Sequence, residues 1–198
     1  MTRMELAVTA DAFAHDPLAA RLDDLAAIAE RTGGEVTATH EPFLAQVSLR
    51  LDPALADRVP FPLPLEPNAC WEEGERAALW LGPDEWLVLG PPSNGAEIAA
   101  ELDSALDGLH YSVVDVSANR VAIEIGGPGR FELLSKGCTI DLHSLAWAAG
   151  MCAQTLLAKT QVLLHERADT TRLLVRPSFA DYLVDWLLAA TTDWSVTG

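Results

Sequence analysis

Asp141 and His143 are the residues of this sequence whose types and spacing come nearest to an acid–base pair. Side chains alternate across an extended backbone, so these two would lie on the same side of a strand. Carboxylates and imidazoles are common proton donors and acceptors in catalysis. The five histidines are His15, His40, His110, His143 and His165. They show no HxxxH or HxH spacing, so the histidines do not indicate a metal site. For Asp141 and His143, acid–base catalysis is one hypothesis and a purely structural role is the other.

Two further motifs contain residue types that can bind or activate ligands. In KGC, residues 136–138, a thiol follows a cation, an arrangement that can activate a cysteine. However, Gly137 is typical of a helix end and Cys138 begins an apolar stretch, so we interpret Cys138 as a buried structural residue. GGPGR, residues 126–130, lacks the GxxxxGK[ST] and GxGxxG patterns and predicts a tight turn. From the residues alone we assign no catalytic, cofactor-binding or metal-binding residue.

Cysteine usage and charge limit the compartment and the partners. Cys70, Cys138 and Cys152 are odd in number and without CxxC spacing, which predicts free thiols in a reducing cytoplasm. The first residues contain no signal-peptide apolar segment, and no apolar run approaches the roughly 18 residues of a membrane helix. The formal net charge of -16 repels phosphate. We therefore expect a cytoplasmic protein that binds neither nucleic acid nor membrane.

The charge is distributed unevenly along the 198 residues. Residues 1–107 contain 20 acids and 6 bases, whereas residues 108–198 contain 9 acids and 7 bases. The quietest stretch, residues 137–165, includes only Asp141 and Lys159 as charged residues. It is either core or an apolar surface for a partner. On the second interpretation, Trp147 and Met151 would lie at the contact with that partner.

Apolar periodicity and turn residues predict the elements that would position these side chains. A helix is predicted from Asp16-Pro17 to Gly33-Gly34, followed by a strand from Val36 to Leu51 that Pro42 interrupts. Residues 52–75 include VPFPLPLEPN, whose prolines prevent regular pairing. This segment is predicted to be a loop that either follows the surface or clasps a partner.

A weak repeat relates the two halves of the chain. WLVLGPPSNGAEIAAELDSAL and RLLVRPSFADYLVDWLLAA both predict a strand, a proline, a serine cap and an amphipathic helix. Other strands are predicted at 77–81 and 85–89, joined by a turn at Gly82-Pro83-Asp84, and at 113–125 (two strands with a turn at Ala118-Asn119), 155–157 and 161–166. Helix caps are predicted at Ser93-Asn94 and at Ser178, the latter with Asp181 in a capping box. The pattern predicts an α+β fold of largely antiparallel sheets with flanking helices and two pseudo-repeated halves. We expect an N-terminal segment and helix over residues 1–35 and one domain over residues 36–198.

Three segments taken together resemble the gamma subunit of bacterial heterotetrameric sarcosine oxidase. They are WLGPDEWLVLG, DVSANRVAIEIGGPGRFELLSKGCTIDLH and QTLLAKTQVLLHE followed by RLLVRPSFADYLVDWL. More distantly, DVSANRVAIEIGGPGRFELL resembles the D-x-S strand, glycine turn and helix of the aminomethyltransferase (glycine cleavage T-protein) folate-binding domain. The resemblance implies an aminomethyltransferase-like fold for residues 36–198.

The same resemblance implies a function within a complex. Complexes of this family oxidatively demethylate sarcosine with oxygen, giving glycine and peroxide, and the carbon passes to tetrahydrofolate or leaves as formaldehyde. The partners would be an alpha subunit with NAD-binding and folate-binding modules, a beta subunit with FAD and covalent FMN, and a delta subunit with zinc. The gamma chain would hold no cofactor and would be a structural, non-catalytic subunit.

Asp141 carries the main alternative. The folate enzymes surround their essential acid with Asn-Asp-Val, and the matching place here is Ile140-Asp141-Leu142, which keeps the acid and loses its amide neighbour. A stand-alone folate-dependent one-carbon transfer protein using Asp141 is therefore a second hypothesis, and a monomeric small-molecule binding module is a third. Neighbouring genes for alpha, beta and delta subunits would favour the complex.

Overall fold

The computed structural model describes residues 16–194, so His15 lies outside the described residues. It contains two five-stranded antiparallel sheets with helices on their outer faces, which confirms the predicted α+β class. The helices are α1 (Leu22–Arg31), α2 (Gly95–Ala105), α3 (Arg130–Ser135) and α4 (Ala180–Ala190). The strands are β1 (Thr37–Glu41), β2 (Ala45–Leu51), β3 (Cys70–Glu73), β4 (Arg76–Gly82), β5 (Glu85–Gly90), β6 (Tyr111–Asp115), β7 (Val121–Gly126), β8 (Met151–Leu157), β9 (Thr160–Glu166) and β10 (Thr170–Val175).

The two sheets have the same strand arrangement, as the repeat predicted. The first sheet has the order β3-β4-β5-β2-β6, and the second has the order β8-β9-β10-β7-β1. In each sheet three consecutive strands form a meander, and the strand that precedes the meander in the chain pairs beside it. The last position is taken by β6 in the first sheet and by β1 in the second. The most N-terminal strand therefore completes the sheet of the C-terminal half.

The chain crosses from one sheet to the other at Pro42. β1 pairs with β7 in the second sheet, whereas β2 pairs with β5 and β6 in the first. Pro42 has no amide hydrogen for a strand ladder, and Phe43 beside it has a left-handed φ of 56°. The single interrupted strand predicted here is thus two strands in different sheets. A second crossing uses the short turn Ser117–Asn119 between β6 and β7.

Alternation of side chains gives each sheet an inner face toward the other sheet and an outer face toward helices. The inner faces meet in an apolar cluster that includes Leu79, Leu87, Leu163 and Leu174. The outer face of the first sheet packs on α2, and that of the second sheet packs on α1, α3 and α4. The fold therefore has four layers, helix–sheet–sheet–helix, and buries core residues on both faces of each sheet.

The first helix ends near Gly33-Gly34 as predicted, but α1 begins at Leu22, after a 3-10 turn at Ala19–Arg21, and not at Asp16-Pro17. Leu25 and Ile28 of α1 are buried in the outer cluster of the second sheet. Arg21 also binds Asp181 of α4 at 3.0 Å. The helix is thereby packed on the second sheet and joined to the last helix of the chain.

The proline-rich segment packs on the first sheet, as expected for a loop that follows the surface. Val59, Phe61 and Leu63 are buried in the outer cluster of that sheet. Trp86 Nε1 donates a hydrogen bond to the carbonyl oxygen of Pro64 at 2.7 Å. The end of the predicted loop is different, because Cys70–Glu73 forms β3 against β4. The partner-clasping alternative is wrong for the residues that this packing buries.

The predicted serine cap of the last helix is wrong. Ser178 lies within a 3-10 turn, Pro177–Phe179, that leads directly into α4, so the N-cap position falls on Phe179. No side chain caps α4, and the same is true of α2 after Asn94. Pro177 fixes the backbone torsion φ that begins the turn, and the amide of Phe179 donates to the carbonyl oxygen of Arg176 at 2.9 Å.

Candidate functional site

Asp141 and His143 lie on an exposed turn between α3 and β8. Asp141 Oδ1 accepts a hydrogen bond from the backbone amide of His143 at 2.9 Å. His143 Nδ1 accepts one from the backbone amide of Leu145 at 3.2 Å. Each side chain is thus engaged with a backbone amide two residues ahead. The local backbone is a turn rather than the extended segment that the prediction assumed. These hydrogen bonds join each side chain to the backbone and do not join the carboxylate of Asp141 to the imidazole of His143.

Trp147, which the sequence suggested as a partner contact, is a core residue with 3% exposure. Its Nε1 donates to Glu166 Oε2 at 2.9 Å, and Thr171 Oγ1 donates to the same oxygen at 2.6 Å. Arg130 binds the other oxygen of Glu166 at 3.1 Å. Placing Trp147 at an interface was therefore wrong, because its ring fills the outer core and its only polar atom has an internal partner. Met151, named with it, begins β8.

Glu166 is a buried acid that sequence reasoning missed. It is 1% exposed at the end of β9 and holds Trp147, Thr171 and Arg130 together. Sequence reasoning missed it because an acid at the end of a strand is usually solvated, and because Trp147 and Arg130 are distant from it in the sequence. The available signal was that neither Trp147 nor Arg130 has an obvious acidic partner nearby in the sequence. The role of this cluster is to fasten the 139–150 segment and α3 to the second sheet.

The three cysteines are free thiols. Burial raises the pKa of both Cys70 and Cys152 to about 12, so these thiols stay protonated near neutral pH. Cys138 is half-buried and packs against the outer core. Lys136, the cation of the KGC motif, donates to the carbonyl oxygen of Ala190 at 2.7 Å. The lysine is thus engaged with α4, in agreement with a structural interpretation of the motif.

The glycine motif forms the predicted tight turn before α3. Gly127 has a φ of +91°, and a Cβ atom there would collide with the carbonyl oxygen of Glu35. The amide of Gly129 donates to that same oxygen at 2.9 Å. The backbone of Glu35 therefore occupies the place where a phosphate would have to approach the turn.

A chain of charged side chains crosses one end of the inner face of the second sheet. Arg172, 6% exposed, donates from Nε and Nη2 to both oxygens of Glu41, at 2.6 and 2.7 Å. Its Nη1 lies 3.3 Å from Nδ1 of the fully buried His165. Burial, and then the positive charges of Arg172 and Arg167, lowers the pKa of His165 to about 3. His165 is therefore neutral in the folded protein over the physiological pH range.

The same chain of charges joins the two sheets. Arg167 binds Glu124 of the second sheet at 2.6 Å and Glu72 of the first sheet at 2.7 Å. Thr170 Oγ1 also donates to Glu124, at 2.7 Å. His165 Nε2 is 3.6 Å from Glu72, too far for a hydrogen bond. We call the residues of this network the paired layer: Glu41, Glu72, Glu124, His165, Arg167 and Arg172.

A cavity of about 890 Å³ opens at the crossings between the sheets, beside the segment Asp115-Val116-Ser117. Asp115 Oδ1 accepts hydrogen bonds from the amide and the hydroxyl of Ser117, at 2.9 and 2.6 Å. The buried Gln46 donates from Nε2 to the carbonyl oxygen of Arg120 at 2.7 Å. The amide of Gln46 donates to Ser117 Oγ at 3.0 Å and the amide of Val116 donates to the carbonyl oxygen of Gln46 at 2.8 Å, which attaches the D-x-S segment to β2.

Two residues with left-handed backbone line this cavity. Phe43 has a φ of 56° and Ser93 a φ of 61°, and the amide of Ser93 donates to the carbonyl oxygen of Phe43 at 2.9 Å. Such torsions are uncommon outside glycine and tend to occur at functional positions. His40 lies 3.4 Å from Asp16, and both also line the cavity. His40 and Ser117 pair with different carboxylates, an arrangement suited to binding rather than to nucleophilic catalysis.

A second cavity, of about 510 Å³, has Arg120 in common with the first and is also lined by Arg176.

Across residues 16–194, no group of three or more His, Cys, Asp or Glu side chains is arranged to hold a metal ion. None of the helices in that range is long and apolar enough to cross a membrane.

The repeated sheets, the D-x-S segment and the glycine turn define a protein of the aminomethyltransferase-like fold. The structure superposes on the glycine cleavage system aminomethyltransferase T from Bartonella henselae with a TM-score of 0.62 at 12% identity. The match covers 83% of this chain and 48% of that one, and it concerns the fold alone.

Within that class, the chain belongs to the sarcosine oxidase gamma subunit family, whose profile matches residues 49–193. It is 37% identical over 172 residues to the sarcosine oxidase subunit gamma of Corynebacterium sp. (strain P-1), covering 83% of this chain and 84% of the relative. The identity with that subunit from Arthrobacter sp. is 34%, with the same coverage. A chain of the heterotetrameric sarcosine oxidase from Corynebacterium sp. U-96, solved with pyrrole 2-carboxylate, matches with a TM-score of 0.83 at 30% identity, over 93% of this chain and 97% of that one. The family resemblance inferred from the sequence is confirmed.

Proposed function

We propose that this chain is a non-catalytic, structural subunit of a cytoplasmic sarcosine oxidase complex. The observation that carries the proposal is the match, with a TM-score of 0.83 over 93% of the chain, to a chain of a heterotetrameric sarcosine oxidase. The reaction is the oxidative demethylation of sarcosine with oxygen to glycine and peroxide, with the carbon passed to tetrahydrofolate or released as formaldehyde. Alpha, beta and delta subunits are the proposed partners.

The cofactors of the complex, FAD, FMN, NAD, tetrahydrofolate and zinc, are proposed to lie on those partners. The glycine turn of this chain supports that placement, because the carbonyl oxygen of Glu35 accepts from Gly129 where a phosphate would otherwise bind. The exposed Asp141 supports a non-catalytic role, since its carboxylate is engaged by the amide of His143 in a local turn.

The mouth of the larger cavity is the surface that we propose for the main partner contact. Phe43, which lines the cavity, is 45% exposed. Val114 and Phe179, also exposed, lie within two residues of the lining residues Asp115 and Pro177 in the sequence. Exposed apolar groups near a concave site are typical of interfaces. The edge strands β1 and β6 meet the same region, and unpaired strand edges are commonly covered in assemblies.

Co-expression of the tagged chain with the three partner subunits tests this function. We expect the tag to recover a complex with a flavin absorbance spectrum. The double variant Phe43→Ser/Val114→Ser should reduce that recovery, whereas Leu65→Ser, an equally exposed leucine on the proline-rich segment, should not. A flavin spectrum from this chain alone, or its purification as a monomer in the presence of all partners, would contradict the proposal.

Asp141→Ala distinguishes a structural subunit from a folate-dependent enzyme. For a structural subunit we expect turnover of the assembled complex to stay within a few-fold of the wild type. A catalytic acid typically contributes about 10²–10⁴-fold to the rate. A loss of that size with intact assembly would support one-carbon transfer at Asp141.

A further inference from the structure

We propose that Arg120 and Arg176 form a binding site for a small organic anion that bears carboxylate or phosphate groups. Both arginines line the cavity of about 510 Å³ at the end of the inner face of the second sheet. Arg176 is exposed and follows β10, whereas Arg120 is half-buried and precedes β7. The guanidinium group is planar and binds carboxylates and phosphates through paired hydrogen bonds.

The two arginines lack the partners that other arginines of this structure have. Arg130 binds Glu166, and Arg167 and Arg172 bind carboxylates of the paired layer. Among residues 16–194, neither Arg120 nor Arg176 has a side-chain hydrogen bond or an ion pair within 4.0 Å. Although the chain has a net charge of -16, the lining of this cavity contains two arginines and no carboxylate.

The electrostatics of the cavity show that this positive charge is not compensated. Burial, and then the charge of Arg176, lowers the pKa of Arg120, while Glu85 acts in the opposite direction. Glu85 is itself bound to Arg50 at 2.6 Å. An anion in the cavity would offset both the burial and the mutual repulsion of the two guanidinium groups.

The other lining residues suit a small molecule with a polar and an apolar part. Thr139 and Thr155 share a hydrogen bond of 2.9 Å between their hydroxyl groups, and Gln161 adds an amide. Leu163 and Leu174 from the inner core form an apolar part of the wall. A volume near 510 Å³ is within the range, about 300–1,000 Å³, of small-molecule sites. This concavity favours a small anion over the flat contact of a protein surface.

The test uses the purified full chain with succinate and inorganic phosphate as probes. Calorimetric titration and thermal melting are measured at constant ionic strength, with potassium chloride and neutral succinamide as controls. We expect saturable binding of at least one anion and a matching rise of the melting temperature. Arg120→Gln and Arg176→Gln should each weaken that binding about tenfold or more, because each removes a charge-assisted hydrogen-bonding group.

Arg58→Gln is the matched control, because it removes one exposed arginine from a segment on the other sheet. It should bind the anion as the wild type does. Arg120→Lys and Arg176→Lys, which keep the charge, provide folded variants if a glutamine variant is unstable, and they should retain weaker binding. Circular dichroism verifies the fold of each variant.

Two results would overturn the proposal. One is the absence of saturable binding by the wild type; if the double variant Arg120→Gln/Arg176→Gln then also reduces recovery of the oxidase complex, the arginines bind acidic side chains of a partner instead. The other is an equal response of the wild type and that double variant, since phosphate also stabilises proteins without a site. Formation of the complex by the wild type is scored separately, so failure of the anion site is distinguishable from failure of the proposed function.

Discussion

The inner face of the second sheet contains two arginine sites that differ in burial and in the partners of the guanidinium group. Arg172 and Arg176 are four residues apart on the same side of one extended segment. Arg172 is 6% exposed and binds both oxygens of Glu41, whereas Arg176 is exposed beside an open cavity. The difference lies in the partners, because Glu41 of β1, which is level with Leu174 across β7, directs its carboxylate to Arg172 and not to Arg176.

This contrast separates two uses of buried or half-buried charge. In the paired layer, complementary charges fix the position of one sheet on the other, as Arg167 does by binding Glu72 and Glu124. At the Arg120 and Arg176 site, the charge is left available to something outside the chain. We therefore expect substitutions in the paired layer to act on stability and substitutions in the open site to act on binding.

The largest effect is expected for Arg172→Met. The change leaves the carboxylate of Glu41 without its partner and removes the neighbour of His165. Removing one member of a buried ion pair typically destabilises a protein by about 3–5 kcal/mol. Urea unfolding of the isolated chain measures the loss. The double variant Arg172→Met/Glu41→Gln should recover part of it, and a loss by Arg172→Met no greater than that of an exposed arginine would contradict the role of the paired layer.

Trp147→Phe should give a loss of about 2 kcal/mol. Phe keeps an aromatic ring in the outer core, but the carboxylate of the buried Glu166 loses the donor at 2.9 Å. The free energy of unfolding in urea shows the effect. Recovery of the oxidase complex after gel filtration is the informative control, since a core residue changes melting without a selective loss of assembly. A selective loss of assembly with an unchanged melting temperature would contradict the core role and show that Trp147 contributes to the interface.

The sequence predicted the positions of the helices and strands much better than it predicted which strands pair in each sheet. The turn Gly82-Pro83-Asp84 and the apolar alternation beside it were sufficient to place the β4–β5 hairpin, because hairpin pairing is local. The exchange of sheets at Pro42 was not predictable from local pattern, since both flanking segments have strand character. β3 was missed because its short CWEE run follows four prolines and alternates weakly.

The candidate site was less predictable than the fold. Asp141 and His143 attracted attention because of their spacing, and the structure places both on an exposed turn. Glu166 and the pair Arg120 and Arg176 were missed, because their surroundings come from strands far apart in the chain. Arg120 and Arg176 meet only because β7 and β10 are neighbours in the sheet, a pairing between segments some 50 residues apart that no local period reveals.

The pH dependence of stability tests the neutral member of the paired layer. An unfolded chain protonates histidine near pH 6.5, whereas His165 in the folded protein has a pKa of about 3. Protons therefore favour the unfolded chain, and the stability that is complete above pH 6.5 decreases as the pH falls toward 3. We expect His165 to account for a loss of about 2 kcal/mol between pH 7 and pH 5. Urea midpoints of the wild type should fall more steeply than those of His165→Gln, and parallel profiles would place the titration elsewhere.

The smallest effect on stability is expected at the open site. Arg120 and Arg176 make no ion pair within the described chain, and burial, followed by the positive charge of Arg176, lowers the pKa of Arg120. Replacing Arg176 by Gln should therefore change the free energy of unfolding by no more than about 0.5 kcal/mol, the usual range for surface positions. The sign should be stabilising or neutral in the absence of added anions, because removal of one cation relieves repulsion at the other. Urea unfolding with and without phosphate sharpens the comparison, since the wild type should gain more from phosphate than Arg176→Gln does. A loss by Arg176→Gln as large as that by Arg172→Met would show that both ends of the sheet use their arginines to hold the fold.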